Sequence, residues 1–207
     1  MSERPVCALE LSTLERTPGT APETTGRTAA VLAPVLRRDR RDHILFIQRS
    51  DELPDHPGQI AFPGGGRAAV DGSLRATALR EADEEIGLRA AESTIVGRID
   101  DIQTVSEYTV RPYVARIPDR EYEPDGREVV GTVVLPVEAL TSRENYESER
   151  RDHPTYGRIR IHFFRVGEVV VWGATAEMLI DLLERTSGWR RPPEPDRHVA
   201  PDAEFPV

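Results

Sequence analysis

The feature that most constrains this chain is its series of short strand-like runs, which are separated by turns and accompanied by two stretches with helical periodicity. The runs are rich in β-branched and aromatic residues, and one of them, RIRIHFF, alternates charged and apolar side chains as a half-buried strand does. They cover residues 29–36, 43–48, 95–99, 108–117, 129–136, 158–166 and 168–172. The first two runs flank the charged turn RRDRRD, which predicts a hairpin.

The two helical stretches are residues 74–88 and 175–185. The first places Leu79, Ala82 and Ile86 on one side, and Asp71 and Ser73 precede it as candidate caps. The second carries an apolar stripe made of Met178, Leu179, Leu182 and Leu183. A mixed sheet with two helices predicts an α+β domain.

The size and composition limit the class of protein. The chain has 207 residues, which is typical of one domain, and 36 acidic against 27 basic residues give a net charge of −9. Such a surface repels nucleic-acid backbones, so no nucleic-acid partner is expected, and a phosphate substrate calls for a bridging metal ion. All basic residues besides histidine are arginine, which excludes a lysine-based mechanism, and the single cysteine excludes an internal disulfide. No run approaches 18 apolar residues, so we expect a cytoplasmic protein without a membrane span.

The ends differ in composition from the middle of the chain. Residues 1–27 mix Ser, Thr, Pro and charged residues, and residues 191–207 are rich in Pro and Asp. We therefore expect a poorly ordered segment over 1–27, a folded domain over 28–190 and a flexible tail over 191–207.

The most informative chemistry lies in the first helical stretch. Glu81, Glu84 and Glu85 stand at i, i+3 and i+4, so they share one helical face. A divalent cation turns the repulsion among such carboxylates into chelation, and ligands that are all oxygen favour Mg²⁺ or Mn²⁺. The alternative is an acidic face that is simply solvated.

The surroundings of these glutamates favour the metal site. The segment GGGRAAVDGSLRATALREADEEIGL (64–88) resembles the Nudix box, a glycine, a loop acid and then R-E-apolar-x-E-E-x-G-apolar. Gly65, Arg80, Glu81, Glu84, Glu85 and Gly87 are identical to this pattern. The resemblance implies a Nudix fold, with a mixed sheet sandwiched between helices, and hydrolysis of a nucleoside diphosphate linked to another group. It also implies Glu81, Glu84 and Glu85 as metal ligands, with Glu81, Glu84 and Arg80 in catalytic roles.

Two departures concern the loop acid of the box. It is Asp71 rather than Glu, and eight residues instead of seven separate it from Arg80. These differences leave its role open between the metal site and a helix cap.

A second motif lies just upstream. LFIQRSDELPDHPGQIAFPGG (45–65) resembles the signature of coenzyme A pyrophosphatases, and the resemblance implies cleavage of coenzyme A or its derivatives to 3′,5′-ADP and 4′-phosphopantetheine. The substrate-binding residues that it suggests are Arg49, Ser50, Gly58, Gln59, Phe62, Gly64 and Gly65. Pro54 stands where that family has Arg.

Each of these assignments has an alternative. Arg49 is equally a candidate for a surface ion pair, Phe62 for core packing and His56 for a plain loop residue rather than a base or a substrate contact. The substrate is alternatively ADP-ribose, a dinucleoside polyphosphate or a nucleoside triphosphate, and the chain is alternatively a Nudix-fold regulator without catalysis. The expected partner is a small-molecule nucleotide, and a homodimer is one assembly open to such a chain.

Overall fold

The computed structural model describes residues 6–21, 26–104, 108–153, 157–200, 203 and 205. Its helices are α1 (Thr13–Arg16), α2 (Leu74–Ile86), α3 (Val137–Leu140) and α4 (Gly173–Thr186), with 3₁₀ turns at Ala90–Glu92 and Arg143–Asn145. Its strands are β1 (Arg27–Arg38), β2 (Arg41–Arg49), β3 (Ile60–Ala61), β4 (Gly64–Gly66), β5 (Thr94–Arg98), β6 (Ile102–Gln103), β7 (Tyr108–Arg116), β8 (Val129–Pro136), β9 (Tyr146–His153), β10 (Gly157–Val166), β11 (Val169–Trp172) and β12 (Arg197–Val199).

Strand β1 organises the larger sheet. It pairs parallel with β7 on one side, and on the other side it pairs antiparallel with β4 in its first half and with β2 in its second half. Strand β8 extends the sheet beyond β2. The turn between β1 and β2 has positive φ at both Asp39 and Arg40, the conformation that suits a two-residue hairpin, and the predicted hairpin is confirmed.

The larger sheet lies between two apolar layers. Side chains of one face, including Leu32 and Ile47, pack against α2, and those of the other face, including Val35 and Phe46, pack against α4 and a smaller sheet. This confirms the predicted α+β class and a mixed sheet between helices. Burying each such side chain stabilises the fold by about 1.5–3 kcal/mol, so both layers are needed.

The smaller sheet, in the order β11-β10-β9-β12, was only half predicted. Strands β10 and β11 match the predicted runs, whereas β9 has the charged sequence YESERRDH and no apolar alternation. The polar side chains on the face opposite the core residue Tyr146 are paired, because the buried Glu149 contacts both Arg151 and Arg197. Ion pairing replaces apolar packing on this face.

Of the two segments that we expected to be loose, the structure describes residues 6–21, 26–27, 191–200, 203 and 205, and the other residues of these predictions lie outside the described part. Several of the described residues pack or form hydrogen bonds. Leu9, Leu11 and Leu14 are buried, and the amide of Leu9 donates to the buried Asp42 carboxylate at 2.7 Å. Near the other end, β12 pairs with β9, and Asp196 accepts a hydrogen bond from the Ser148 amide at 2.8 Å. Proline excludes a helix there, as the sequence indicates, but strand pairing and hydrogen bonds order the segment instead. In the described part of the chain, none of the helices is long and apolar enough to cross a membrane.

Candidate active site

Helix α2 is fixed at both ends and along one side. The Ser73 side chain accepts a hydrogen bond from the Ala76 amide at 3.1 Å, which confirms Ser73 as the cap. Gly87 ends the helix in the left-handed conformation, with φ of 62°. The buried stripe is Ala78, Ala82 and Ile86 rather than the predicted Leu79, Ala82 and Ile86. The small side chain of Ala78 lets the helix approach the sheet closely, and this rotation turns Glu81 and Glu85 toward the sheet.

Glu85 is the most buried of the three glutamates, at 6% exposure. The amide of Gly64 on β4 donates to its Oε2 at 2.9 Å. Burial raises the pKa of Glu85 to about 8, and the neighbouring Glu81 charge acts in the same direction, while the Gly64 hydrogen bond opposes both. A carboxylate in this position is stabilised in its ionised form when a cation lies beside it.

Glu81 lies one turn before Glu85 and against the glycine strand β4. A β-carbon on Gly65 would come within 2.6 Å of Glu81 Oε1, so the absence of a side chain at Gly65 makes room for the carboxylate. The same Oε1 accepts a hydrogen bond from Arg80 Nη2 at 2.9 Å. Burial raises the pKa of Glu81, and the Arg80 hydrogen bond opposes the shift.

Glu84 points away from this pair. Its side chain is 59% exposed, and its Oε2 accepts from Arg80 Nη1 at 2.8 Å. Within the described residues, no group of three or more His, Cys, Asp or Glu side chains converges closely enough to hold a metal ion. The predicted single face of three glutamates is therefore present as two inward carboxylates and one outward carboxylate, because α2 is rotated to bury Ala78.

Arg80 connects the glutamates to the loop before α2. Its Nε and Nη2 bind the two oxygens of Asp71, each at 3.0 Å, while single hydrogen bonds reach Glu81 and Glu84. The hydrogen bonds from Arg80 hold the pKa of the Asp71 carboxyl well below its usual range. Asp71 also accepts from the Thr77 hydroxyl at 3.0 Å. Asp71 therefore positions Arg80 instead of capping the helix.

The upstream motif places one guanidinium beside the carboxylates. Arg49, near the end of β2, lies within electrostatic reach of Glu85 and lowers its pKa. Its Nη2 donates to the Asp55 carbonyl at 3.3 Å, while its buried Nε has no hydrogen-bond partner among the described residues. In the described part of the chain, the surface ion pair considered for Arg49 is absent, and one buried N–H of its guanidinium is unpaired.

The neighbouring residues of this motif shape the loop after β2. The buried Ser50 donates its amide to the Glu128 carbonyl at 2.8 Å, and Gln59 accepts at its carbonyl from the Arg49 amide at 3.0 Å. Gly58 has a positive φ of 66°, and a β-carbon there would lie 2.6 Å from the Asp51 carboxylate. His56 is an exposed turn residue with φ of 56°.

Phe62 lies in the core. It is 2% exposed and stacks on Phe46, with ring centroids 5.0 Å apart, on the face of the sheet opposite α2. Core packing is thus the role that the structure gives to Phe62, in place of the predicted substrate contact. The apolar environment of β2 and β3 accounts for this position.

The sequence analysis missed Glu128. This exposed residue precedes β8, and its charge raises the pKa of both Glu81 and Glu85, so Glu128 lies within electrostatic reach of the same site. The amide of Asp125 in the same loop donates to the Glu85 carbonyl at 3.0 Å, which joins the loop to the end of α2. Nothing in the local pattern PDGRE signals this role, because the contact spans more than 40 residues.

The donor chemistry of the site fits a divalent cation. Glu81 and Glu85 are two carboxyl groups held beside the backbone of Gly64 and Gly65, and burial raises the pKa of each. Hard oxygen ligands of this kind suit Mg²⁺ or Mn²⁺. Glu84 is the remaining α2 carboxylate near enough to interact with Glu81.

Comparison with known proteins relates the chain to one family. The family model described as the NUDIX domain matches residues 26–156. The chain is 35% identical over 162 residues to a protein named uncharacterized Nudix hydrolase NudL from Enterobacter sp. (strain 638), which covers 75% of this chain and 81% of that protein. It is 32% identical over 169 residues to the NudL protein of Yersinia pestis (strain Pestoides F), which covers 79% and 81%.

A solved structure supports the fold. The MutT/nudix family protein from Enterococcus faecalis aligns with a TM-score of 0.55 and 14% identity, over 84% of this chain and 66% of that one. The matched family model contains β1, β4 and the whole of α2, which are the elements that form the carboxylate site. The chain therefore belongs to the Nudix hydrolase family.

Proposed function

We propose that this protein hydrolyses the pyrophosphate bond of coenzyme A or its derivatives, in a reaction that depends on Mg²⁺ or Mn²⁺ and yields 3′,5′-ADP and 4′-phosphopantetheine. The observation that carries the hydrolytic part is the pair formed by the partly buried Glu81 and the buried Glu85 beside the glycine strand β4. Membership of the Nudix hydrolase family supports the same reaction class. Coenzyme A is favoured by the match of residues 45–65 to the signature of coenzyme A pyrophosphatases.

Glu81, Glu84 and Glu85 are the residues that would hold the metal, and for this the exposed Glu84 side chain would have to turn toward the other two. When bound, a divalent ion supplies charge neutralisation for the diphosphate and lowers the pKa of a water molecule. The protein contributes a fixed position for the ligands, since Arg80 restrains Glu81 and Glu84, and Asp71 restrains Arg80.

The base that removes a proton from the attacking water is Glu81 in this proposal, and Glu84 is the alternative. Arg80 occupies Oε1 of Glu81, while Oε2 has no hydrogen-bond partner within the part of the chain that the structure describes. Glu84 instead uses its Oε2 for Arg80 and is largely solvated. A partly buried oxygen beside the substrate is better placed to accept a proton than a solvated one.

The loop after β2 bears on the substrate. Arg49 lies near Glu85 with an unused buried Nε–H, which suits a phosphate oxygen of the substrate. Pro54, which replaces the arginine of the coenzyme A signature, is exposed in the same loop. Loss of one charge-assisted contact would weaken substrate binding by about 1.5–3 kcal/mol, so coenzyme A should bind less tightly here than where the arginine is present.

The first experiment is incubation with coenzyme A and Mg²⁺, with the products identified by mass, beside ADP-ribose, a dinucleoside polyphosphate and a nucleoside triphosphate. We expect the fastest cleavage for coenzyme A. Cleavage of ADP-ribose with coenzyme A left intact would overturn the substrate, while tight nucleotide binding without any Mg²⁺-dependent turnover would support a regulator and overturn catalysis.

The second experiment tests the residues. Glu84→Gln and Glu85→Gln should each abolish turnover without unfolding the chain, because the amide keeps the shape of the carboxyl group and loses the charge that binds the metal. Asp83→Asn is the matched control, since Asp83 is exposed on the same helix and points away from the sheet. Retention of most turnover by both glutamine variants, with circular dichroism unchanged, would refute the assignment.

A further inference from the structure

A cavity of about 410 Å³ lies at the ends of β1, β4 and β7, beside the carboxylate site. Its volume is within the range of small-molecule pockets. Its walls include Arg27, Thr28, Gly66, Arg67, Asp71 and Tyr108. None of the roles proposed above uses this space.

The cavity is locally positive, although the chain as a whole carries a net charge of −9. Arg27 and Arg67 are both exposed, and neither has a carboxylate within ion-pair distance among the described residues. Arg67 Nη2 donates to the Asp71 carbonyl, at 3.2 Å. The Asp71 carboxylate is already matched by Arg80, so two guanidinium groups face the cavity without a compensating carboxylate from the part of the chain that the structure describes.

An aromatic surface completes the cavity. The Arg27 guanidinium lies over the Tyr108 ring, 5.7 Å from its centroid. Gly66 adds no side chain on this side, where the nearest atom to a β-carbon would be Tyr108 Cε1 at 4.0 Å. The ring of Tyr108 is half-buried and open toward the cavity, which suits stacking with a nucleobase.

Arg80 links the cavity to the carboxylate site. Its Nη2 donates to the Gly66 carbonyl at 3.3 Å and to Glu81 Oε1 at 2.9 Å, and Gly66 follows directly after the Gly65 that contacts Glu81. Asp71, a wall of the cavity, holds the same guanidinium. A ligand whose diphosphate lies at Glu81 and Glu85 can therefore extend into the cavity.

We propose that Arg27 and Arg67 bind a phosphate monoester on the nucleoside part of the substrate, and that Tyr108 stacks on its base. This inference rests on the proposed function, because it assumes that the diphosphate lies at the α2 carboxylates. Coenzyme A carries such a monoester at its ribose 3′ position, whereas ADP-ribose and dephospho-coenzyme A do not. The cavity would then select for a substrate that carries the extra phosphate.

The direct test compares binding of 3′,5′-ADP and 5′-AMP by isothermal titration calorimetry in Mg²⁺. These probes differ only in the 3′-phosphate, and neither contains a pyrophosphate bond, so turnover does not interfere. The wild type should bind 3′,5′-ADP about tenfold more tightly, as expected for a charge-assisted contact at an exposed site. The Arg27→Gln/Arg67→Gln double variant should lose that preference, and Arg75→Gln, an exposed arginine of α2 outside the cavity, should keep it.

Equal affinities of the wild type for the two probes, or a preference that survives in the double variant, would overturn the inference. Kinetics with coenzyme A and dephospho-coenzyme A provide the second readout, in which the double variant should show a raised KM for coenzyme A alone and an unchanged kcat. If coenzyme A is not cleaved but the preference for 3′,5′-ADP depends on the two arginines, the proposed substrate fails and the phosphate site stands. If coenzyme A is cleaved but the preference for 3′,5′-ADP does not depend on the two arginines, the proposed substrate stands and the phosphate site fails.

Discussion

Substitutions at two adjacent glycines of β4, Gly64 and Gly65, allow a loss of catalytic rate to be separated from a loss of stability. In Gly65→Ala, the added β-carbon would lie 2.6 Å from Glu81 Oε1, about 0.8 Å short of the 3.4 Å at which ordinary contacts begin. The backbone of Gly65 has no positive φ, so alanine is compatible with the strand. The carboxylate must therefore move, and the hydrogen bond from Arg80 to the same oxygen resists that movement.

The expected loss is mainly catalytic. A displacement approaching 1 Å of a reacting or metal-binding group costs about 100-fold in rate, or about 2.7 kcal/mol of transition-state stabilisation. Stability should change by less than about 1 kcal/mol, because the gain from replacing glycine in a strand offsets part of the contact strain. We therefore expect Gly65→Ala to remain folded and to lose about two orders of magnitude in kcat/KM.

The assay is the initial rate of coenzyme A hydrolysis in Mg²⁺, measured by chromatography of 3′,5′-ADP, together with urea unfolding followed by tryptophan fluorescence. Gly64→Ala provides the contrast, since its φ of 154° and a β-carbon 2.4 Å from the Ala30 carbonyl predict a loss of stability of about 3 kcal/mol or more. Gly72→Ala, with no atom within 4 Å, should change neither quantity. A folded Gly65→Ala variant with kcat/KM within threefold of the wild type would show that the position of the Glu81 carboxylate is unimportant.

Two further predictions concern stability. Burial and the charges of Arg160 and Arg191 lower the pKa of His162 to about 3, so the folded protein keeps it neutral while the unfolded chain protonates it below about pH 6.5. The contribution of His162 to the free energy of unfolding is therefore lost as the pH falls, by up to about 1.4 kcal/mol per pH unit between pH 6.5 and 3. In urea unfolding, the free energy of unfolding of His162→Asn should depend less steeply on pH than that of the wild type. An identical slope in the variant would contradict this account. Asp42→Asn should lower the free energy of unfolding by about 3 kcal/mol, because the fully buried Asp42 carboxylate pairs through both oxygens with Arg116, and an unchanged urea midpoint would contradict it.

The sequence predicted the part of the site whose residues lie close together along the chain. The carboxylates of α2 lie within five residues, so their helical neighbourhood follows from spacing alone. The rotation of the helix about its axis does not follow from spacing, because an apolar stripe can include either Ala78 or Leu79. Which of the two is buried depends on how closely the glycine strand β4 approaches α2. This rotation decides that Glu85 is buried and Glu84 exposed.

Contacts that join distant segments were not predictable from local pattern. Glu128 reaches the site from the loop before β8, and β9 is a strand although its sequence alternates only charges. Glu149 in β9 is buried because Arg197 arrives from 48 residues away. Ordinary propensities describe a strand by its apolar face, whereas in β9 the buried polar side chains of the face opposite Tyr146 are satisfied by ion pairs.

The two faces of the larger sheet have different origins along the chain. Residues 26–156 supply α2 and every strand of that sheet, yet Leu14, Leu179 and Leu183 on its opposite side come from outside this range. A fragment of residues 26–156 would retain each catalytic candidate, but it would lose apolar side chains that cover the face of the sheet opposite α2. Such a fragment should aggregate. Expression trials and domain grafts with this protein should therefore carry the flanking segments along, even though those segments hold none of the proposed chemistry.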